Sequence, residues 1–151
     1  MIDLAAIEAL PLAEAIRRSV WAYPVLEAMH ISAFAALVGA LLVLELRVFG
    51  AQPALPLQPL ARLAVSVALV GFAVAAVCGV LMFISAATEF GVNRAFQTKL
   101  CLILIAGLNA AWFHRRESLR RHDTVAKAQA LLSLLLWFSI IGAGRLIAYV
   151  G

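Results

Sequence analysis

Four ionisable side chains stand inside or at the rim of otherwise apolar sequence: Glu27, His30, Lys99 and Arg145. Two cations beside an imidazole can hold an anionic group, with the imidazole acting as ligand or proton acceptor. Glu27 precedes His30 by three residues and shares its helical face. Tyr149 follows Arg145 by about one turn and joins the same candidate set. Ionisable groups in apolar spans are costly and usually face a bundle interior or a water-filled cavity. The plainer reading has Lys99 and Arg145 reaching lipid headgroups, Glu27 pairing with one of them, and His30 bonded to a neighbouring helix as a neutral ring.

A second constellation is soft. Met29, His30, Cys78, Met82 and Cys101 offer thioether, thiol and imidazole groups that together suit Cu(I). Against copper, Met29 and His30 are adjacent and diverge by about 100° on a helix, and methionine is ordinary gap filler in cores. Haem b is a further alternative cofactor through His30, because membrane b-type cytochromes usually bind haem with two histidines at matching depth. Only His30 sits at that depth; His114 falls at the opposite edge and His122 in a connection. A haem site then needs a second copy of the chain or a single axial histidine. Signatures of catalysis are lacking: the sequence has no HExxH, phosphate-cradling glycine loop or nucleophile elbow.

The elements that must carry these residues are apolar helices. Hydrophobic residues make up 65% and charged residues 13% of the 151-residue chain, against about half and about a quarter in soluble domains. Lipid must therefore cover much of the surface. Spans are expected over about 24–48, 63–88, 95–114 and 128–149, forming a four-helix transmembrane domain over 23–151. Residues 1–22 read as an interfacial amphipathic segment, with Leu12, Ala15, Ile16 and Val20 near one face and Pro11 in a first helical turn. Trp21 and Tyr23 suit the headgroup region, and no positive stretch at the start marks a cleaved signal peptide. Small residues recur at helical spacing as Gly71-Ala75-Gly79, Gly107-Ala111 and Ser32-Ala36, which predicts close backbone approach between helices. Glu45 and Arg47 read as boundary charges or a local ion pair, and Asn109 as a cross-helix hydrogen-bonding group.

Charge sets the orientation. The connections between the first and second spans and between the third and fourth carry Arg47, Arg62, Arg115, Arg116, Arg120, Arg121 and Lys127; the other side carries Arg17, Arg18 and Arg94. Seven basic residues against three place those connections in the cytoplasm and both termini in the periplasm. The formal charge of +4 is thus a topology signal, and nucleic acid is not an expected partner. His30 lies about 9 Å into the first span at about 1.5 Å of rise per residue, and Glu27, Lys99 and Arg145 occupy the same leaflet.

Several short motifs run in order along the chain: Trp21-Ala-Tyr-Pro24 leading to His30, Glu45-Leu-Arg47, Gly79-Val-Leu-Met-Phe83, Asn93-Arg-Ala-Phe96-Gln-Thr-Lys99, Leu108-Asn109 and Gly144-Arg145-Leu-Ile-Ala-Tyr149. In these the chain resembles a bacterial family of small four-helix inner-membrane proteins known only as a domain of unknown function. It is more loosely similar to copper-resistance membrane proteins and to four-helix b-type cytochromes. The family resemblance implies four membrane helices and brings no activity with it.

The expectation is an all-α, four-span protein of the bacterial inner membrane. It would be a non-catalytic membrane subunit or ligand-binding module with a polar pocket in the periplasmic leaflet. Its rivals are haem or quinone redox chemistry at the same site, copper-type metal handling, and a structural subunit of a larger membrane complex. The lipid bilayer is the expected partner, and so small a bundle is open to association with copies of itself.

Overall fold

A computed structural model of the chain describes residues 3–121 and 123–149; His122 lies outside the described residues. The helices, in order, are α1 (Leu4–Glu8), α2 (Pro11–Arg18), α3 (Ala22–Val48), α4 (Leu57–Ser85), α5 (Ala87–Val92), α6 (Arg94–Arg115), α7 (Ser118–Arg121) and α8 (Thr124–Leu146). The described residues contain no strand. The fold is an all-α four-helix bundle in which α3, α4, α6 and α8 are long and apolar enough to cross a membrane.

Local chemistry sets the helix bounds. α3 ends on Gly50 at φ 107°, where Ala51 N–H donates to Leu46 C=O and Gly50 N–H to Arg47 C=O. Those bonds satisfy carbonyls that the helix leaves free, and the left-handed turn is easy only for glycine. α4 begins earlier than the expected 63 because Pro59 fits its first turn, where a missing N–H costs nothing. It ends at Ser85, short of the expected 88, and α5 takes over after a break at Ala86. Asn93 and Asp123 cap α6 and α8 by accepting from Phe96 N–H and Ala126 N–H.

The bundle consists of two antiparallel pairs, α3–α4 and α6–α8, joined where α3 meets α8; α4 and α6 touch where Phe83 stacks on Phe96 at 5.4 Å, and among the described residues no more extended seam joins them. Small residues make the first seam. A Cβ added at Gly71 would sit 2.6 Å from Ala33 C=O, so only glycine admits that approach. Ala75, one turn on, is buried, and Gly79 lies against His30. Gly107, Ala111, Ser32 and Ala36 of the other two ladders are all exposed, with Ala36 bordering a groove against α4. Apolar residues on the outer faces, such as Leu63, Leu69 and Leu104, are about two-thirds exposed. Surface of this kind demands lipid, so the protein is a multi-pass membrane protein.

The N-terminal segment is two helices that grip the end of α4. Ala13 and Ile16 are buried, whereas Leu12, Ala15 and Val20 of the expected face are exposed. Arg17 turns inward and donates to Ser85 C=O at 3.2 Å and to Glu8 C=O at 2.7 Å, filling acceptors left open at helix ends. Glu8 accepts from Thr88 N–H at 2.7 Å and from its hydroxyl at 2.6 Å.

Candidate functional site

His30 projects from α3 onto α4. Its Nδ1 is 2.7 Å from Ala75 C=O, and a carbonyl can only accept, so Nδ1 carries the proton. In the neutral ring Nε2 is then a free acceptor, the atom that a ligand would meet. Glycine at 79 makes room, since a Cβ there would lie 3.3 Å from His30 Cε1. Phe34, one turn along α3, stacks on the imidazole with centroids 6.4 Å apart and planes at 17°. Phe34 in turn meets Trp137 of α8 edge-on at 5.5 Å. The ring is therefore held from three sides.

Lys99 is positioned through α6. Asn93, the cap of that helix, also donates from Nδ2 to Ile147 C=O at 3.1 Å, tying the start of α6 to the end of α8. The Lys99 side chain lies along Gly144, where an added Cβ would be 3.4 Å from Nζ. Among the described residues no carboxylate pairs with Lys99. Lys99 and Glu27 are both within electrostatic range of the His30 imidazole.

Of the five residues singled out in sequence, Lys99 and the exposed Glu27 lie within electrostatic range of His30. Arg145 and Tyr149 form a separate pair: the guanidinium donates to the Tyr149 hydroxyl at 2.8 Å and lies 5.0 Å from the ring centroid. Both are exposed at the end of α8. The soft set scatters. Cys78 is buried and Met82 half-buried, but Met29 is 48% exposed and Cys101 is exposed. The described residues bring no three His, Cys, Asp or Glu side chains into one metal-holding group.

At the opposite end of the bundle the structure gathers Glu45 and Asn109, read singly from the sequence, with Gln129 and Ser133, which were not singled out. Glu45 is not a boundary charge paired with Arg47. Arg47 donates instead to Leu55 C=O at 2.9 Å and Pro53 C=O at 3.1 Å, closing the connection after α3. Glu45 faces inward, 5% exposed, with Ser133 of α8 as its polar neighbour. Asn109 does bond across helices, donating to Gln129 C=O at 3.0 Å. Gln129 is 2% exposed, and its side-chain carbonyl accepts from the Ser118 hydroxyl at 2.6 Å. Glu45, Asn109, Gln129 and Ser133 line one cavity of about 600 Å³. The available signal was Gln129 and Ser133, polar residues one turn apart in an otherwise apolar span.

A family model described only as a family of unknown function, DUF6644, matches residues 18–150. The chain belongs to that family. The match takes in all four spans and both polar clusters. No curated protein and no solved structure matches the chain.

Proposed function

We propose that this DUF6644 protein is a membrane-embedded binding module, without chemistry of its own, that holds an acidic group at His30 and Lys99. One observation carries the reading: His30 is fixed with Nδ1 on Ala75 C=O, within electrostatic range of a lysine that pairs with no carboxylate among the described residues. An unmatched ammonium in low dielectric favours an anion strongly, and an adjacent imidazole lone pair accepts a proton from the same acid or its hydroxyl. The excess of basic residues at the α3–α4 and α6–α8 connections supports a site in the periplasmic leaflet of an inner membrane. The apolar surroundings suit a carboxylate or phosphate carried on an alkyl chain.

Haem fits these residues poorly. A bis-histidine site needs a partner at His30's depth, and His114 is at the far end of α6. Copper would need Met29 and Cys101 turned inward, and both are exposed.

The test is a titration of protein in phosphatidylcholine nanodiscs with dodecyl phosphate, with inorganic phosphate as the chainless control. Dodecyl phosphate should bind saturably, and Lys99→Met and His30→Gln should each weaken it about tenfold or more, roughly 1.4 kcal/mol. Tighter binding of inorganic phosphate would show a free-anion site. Equal affinity in all three proteins would overturn the assignment.

A further inference from the structure

The cavity lined by Glu45, Asn109, Gln129 and Ser133 lies toward the 49–56 and 116–123 connections, away from His30, and its walls are mainly apolar, including Leu37, Leu44, Phe72, Ile103 and Trp137. About 600 Å³ is within the usual range for small-molecule sites. Three polar atoms of its lining residues find no hydrogen-bond partner among the described residues: Glu45 Oε2, Asn109 Oδ1 and Gln129 Nε2. Their residues are 5%, 6% and 2% exposed, so bulk solvent does not satisfy them. Such atoms are normally paired in folded proteins, because an unmet buried polar group is costly.

Their roles are fixed by what their other halves do. Asn109 spends its amide N–H on Gln129 C=O, which leaves Oδ1 as an acceptor. Arg116 donates to Ser118 Oγ at 3.3 Å, and the Ser118 hydroxyl donates to Gln129 Oε1, which leaves Gln129 Nε2 as a donor. The cavity is thus lined by Asn109 with a spare acceptor, Gln129 with a spare donor and the Glu45 carboxyl, from three different helices. No lysine or arginine is among the described lining residues, and the one imidazole, His114, is exposed. The entrance is lateral. Leu69 and Phe72 of α4 and Gly107 and Ala111 of α6 line the cavity and are themselves exposed, where no seam joins the two helices.

We infer that this cavity is a second binding site, entered from the bilayer between α4 and α6, for a membrane-dissolved amphiphile whose uncharged head donates hydrogen bonds to Glu45 and Asn109 and accepts one from Gln129. A cation-free wall with an unpaired carboxyl disfavours an acid, and the apolar remainder takes the chain. The inference is independent of the His30–Lys99 reading.

The test uses Trp137, which lines the cavity, as reporter. With the exposed Trp21 and Trp112 changed to Phe, the protein in nanodiscs is titrated with a dibromostearoyl monoglyceride, whose hydroxyls donate and whose ester accepts. Quenching of Trp137 should saturate, and Asn109→Leu and Gln129→Leu should each weaken it about tenfold. Gly107→Leu should abolish the saturable component without lowering the melting temperature, because a Cβ there meets nothing within 4 Å. Equal quenching by the dibromostearoyl methyl ester, which donates nothing, would show an acyl-filled void and overturn the inference. So would unchanged quenching in Gly107→Leu, or tighter binding of the brominated acid or a brominated quaternary amine.

Discussion

His30 and Gly71 show how differently single residues in one seam behave. His30 was legible in sequence because an imidazole inside an apolar run has few structural explanations. Its partner was not, since Ala75 contributes a backbone carbonyl that side-chain patterns do not display. Gly71 was legible as a seam residue, while Gly107, with the same sequence signature, is exposed at an open mouth. The difference lies in which helices pair, which spacing alone does not encode. Two substitutions separate them. Gly71→Ala should cost about 1–3 kcal/mol, since its methyl group would collide with Ala33 C=O. Gly107→Ala should leave the melting temperature unchanged, because it meets open space. Thermal unfolding in one detergent compares both with the parent; equal losses would contradict the seam.

The connection between α6 and α8 is short, and a single carboxylate organises it. Asp123 receives both arms of Arg116, at 3.0 and 2.6 Å, and caps α8 through Ala126 N–H at 2.9 Å. Arg116 also reaches Ser118, which orients Gln129, so the clamp leads into the cavity wall. Hydrogen bonding from Arg116, then from Ala126 N–H, holds the Asp123 carboxyl well below the usual aspartate range. A depressed folded-state value stabilises the fold above the unfolded value of about 3.9. That stabilisation is lost as pH falls through the folded value. Melting curves recorded downward from neutral pH should therefore show a loss below about pH 4 that is smaller in Asp123→Asn. Parallel curves for the two proteins would remove the clamp from the account. The Glu8 carboxyl, lowered chiefly by the Thr88 hydroxyl, ties α1 to α5 by the same logic. Neither tie was readable beforehand: the first runs through a turn whose geometry the sequence leaves open, and the second joins residues far apart in the chain.

Taken whole, the molecule is two helical hairpins sharing one edge, with a polar centre toward each membrane surface. Four spans were readable from composition and run length, while the turn at Pro59, the break at Ala86 and the Asp123 cap moved some of their ends. Of the candidate site, the His30–Lys99 half was readable as depth. Convergence was not, and Arg145 at similar depth turns to Tyr149 on its own helix end instead. Orientation is testable at this level: in a background with Cys78→Ala and Cys101→Ala, Ala54→Cys should react with an impermeant thiol reagent only after cells are opened. Ala9→Cys should react in spheroplasts. The reverse pattern would invert the basic-residue argument and place His30 toward the cytoplasm.

The binding reading stands on one tautomer and one lysine, and a single spectrum addresses both. Long-range proton–nitrogen correlation on ¹⁵N-histidine-labelled protein in nanodiscs, assigned with His30→Gln, reports which ring nitrogen carries the proton. The account requires Nδ1 protonated and Nε2 bare, with Nε2 shifting on addition of dodecyl phosphate in the parent protein and not in Lys99→Met. A ring protonated at Nε2 alone, or a spectrum indifferent to the phosphate, would contradict it.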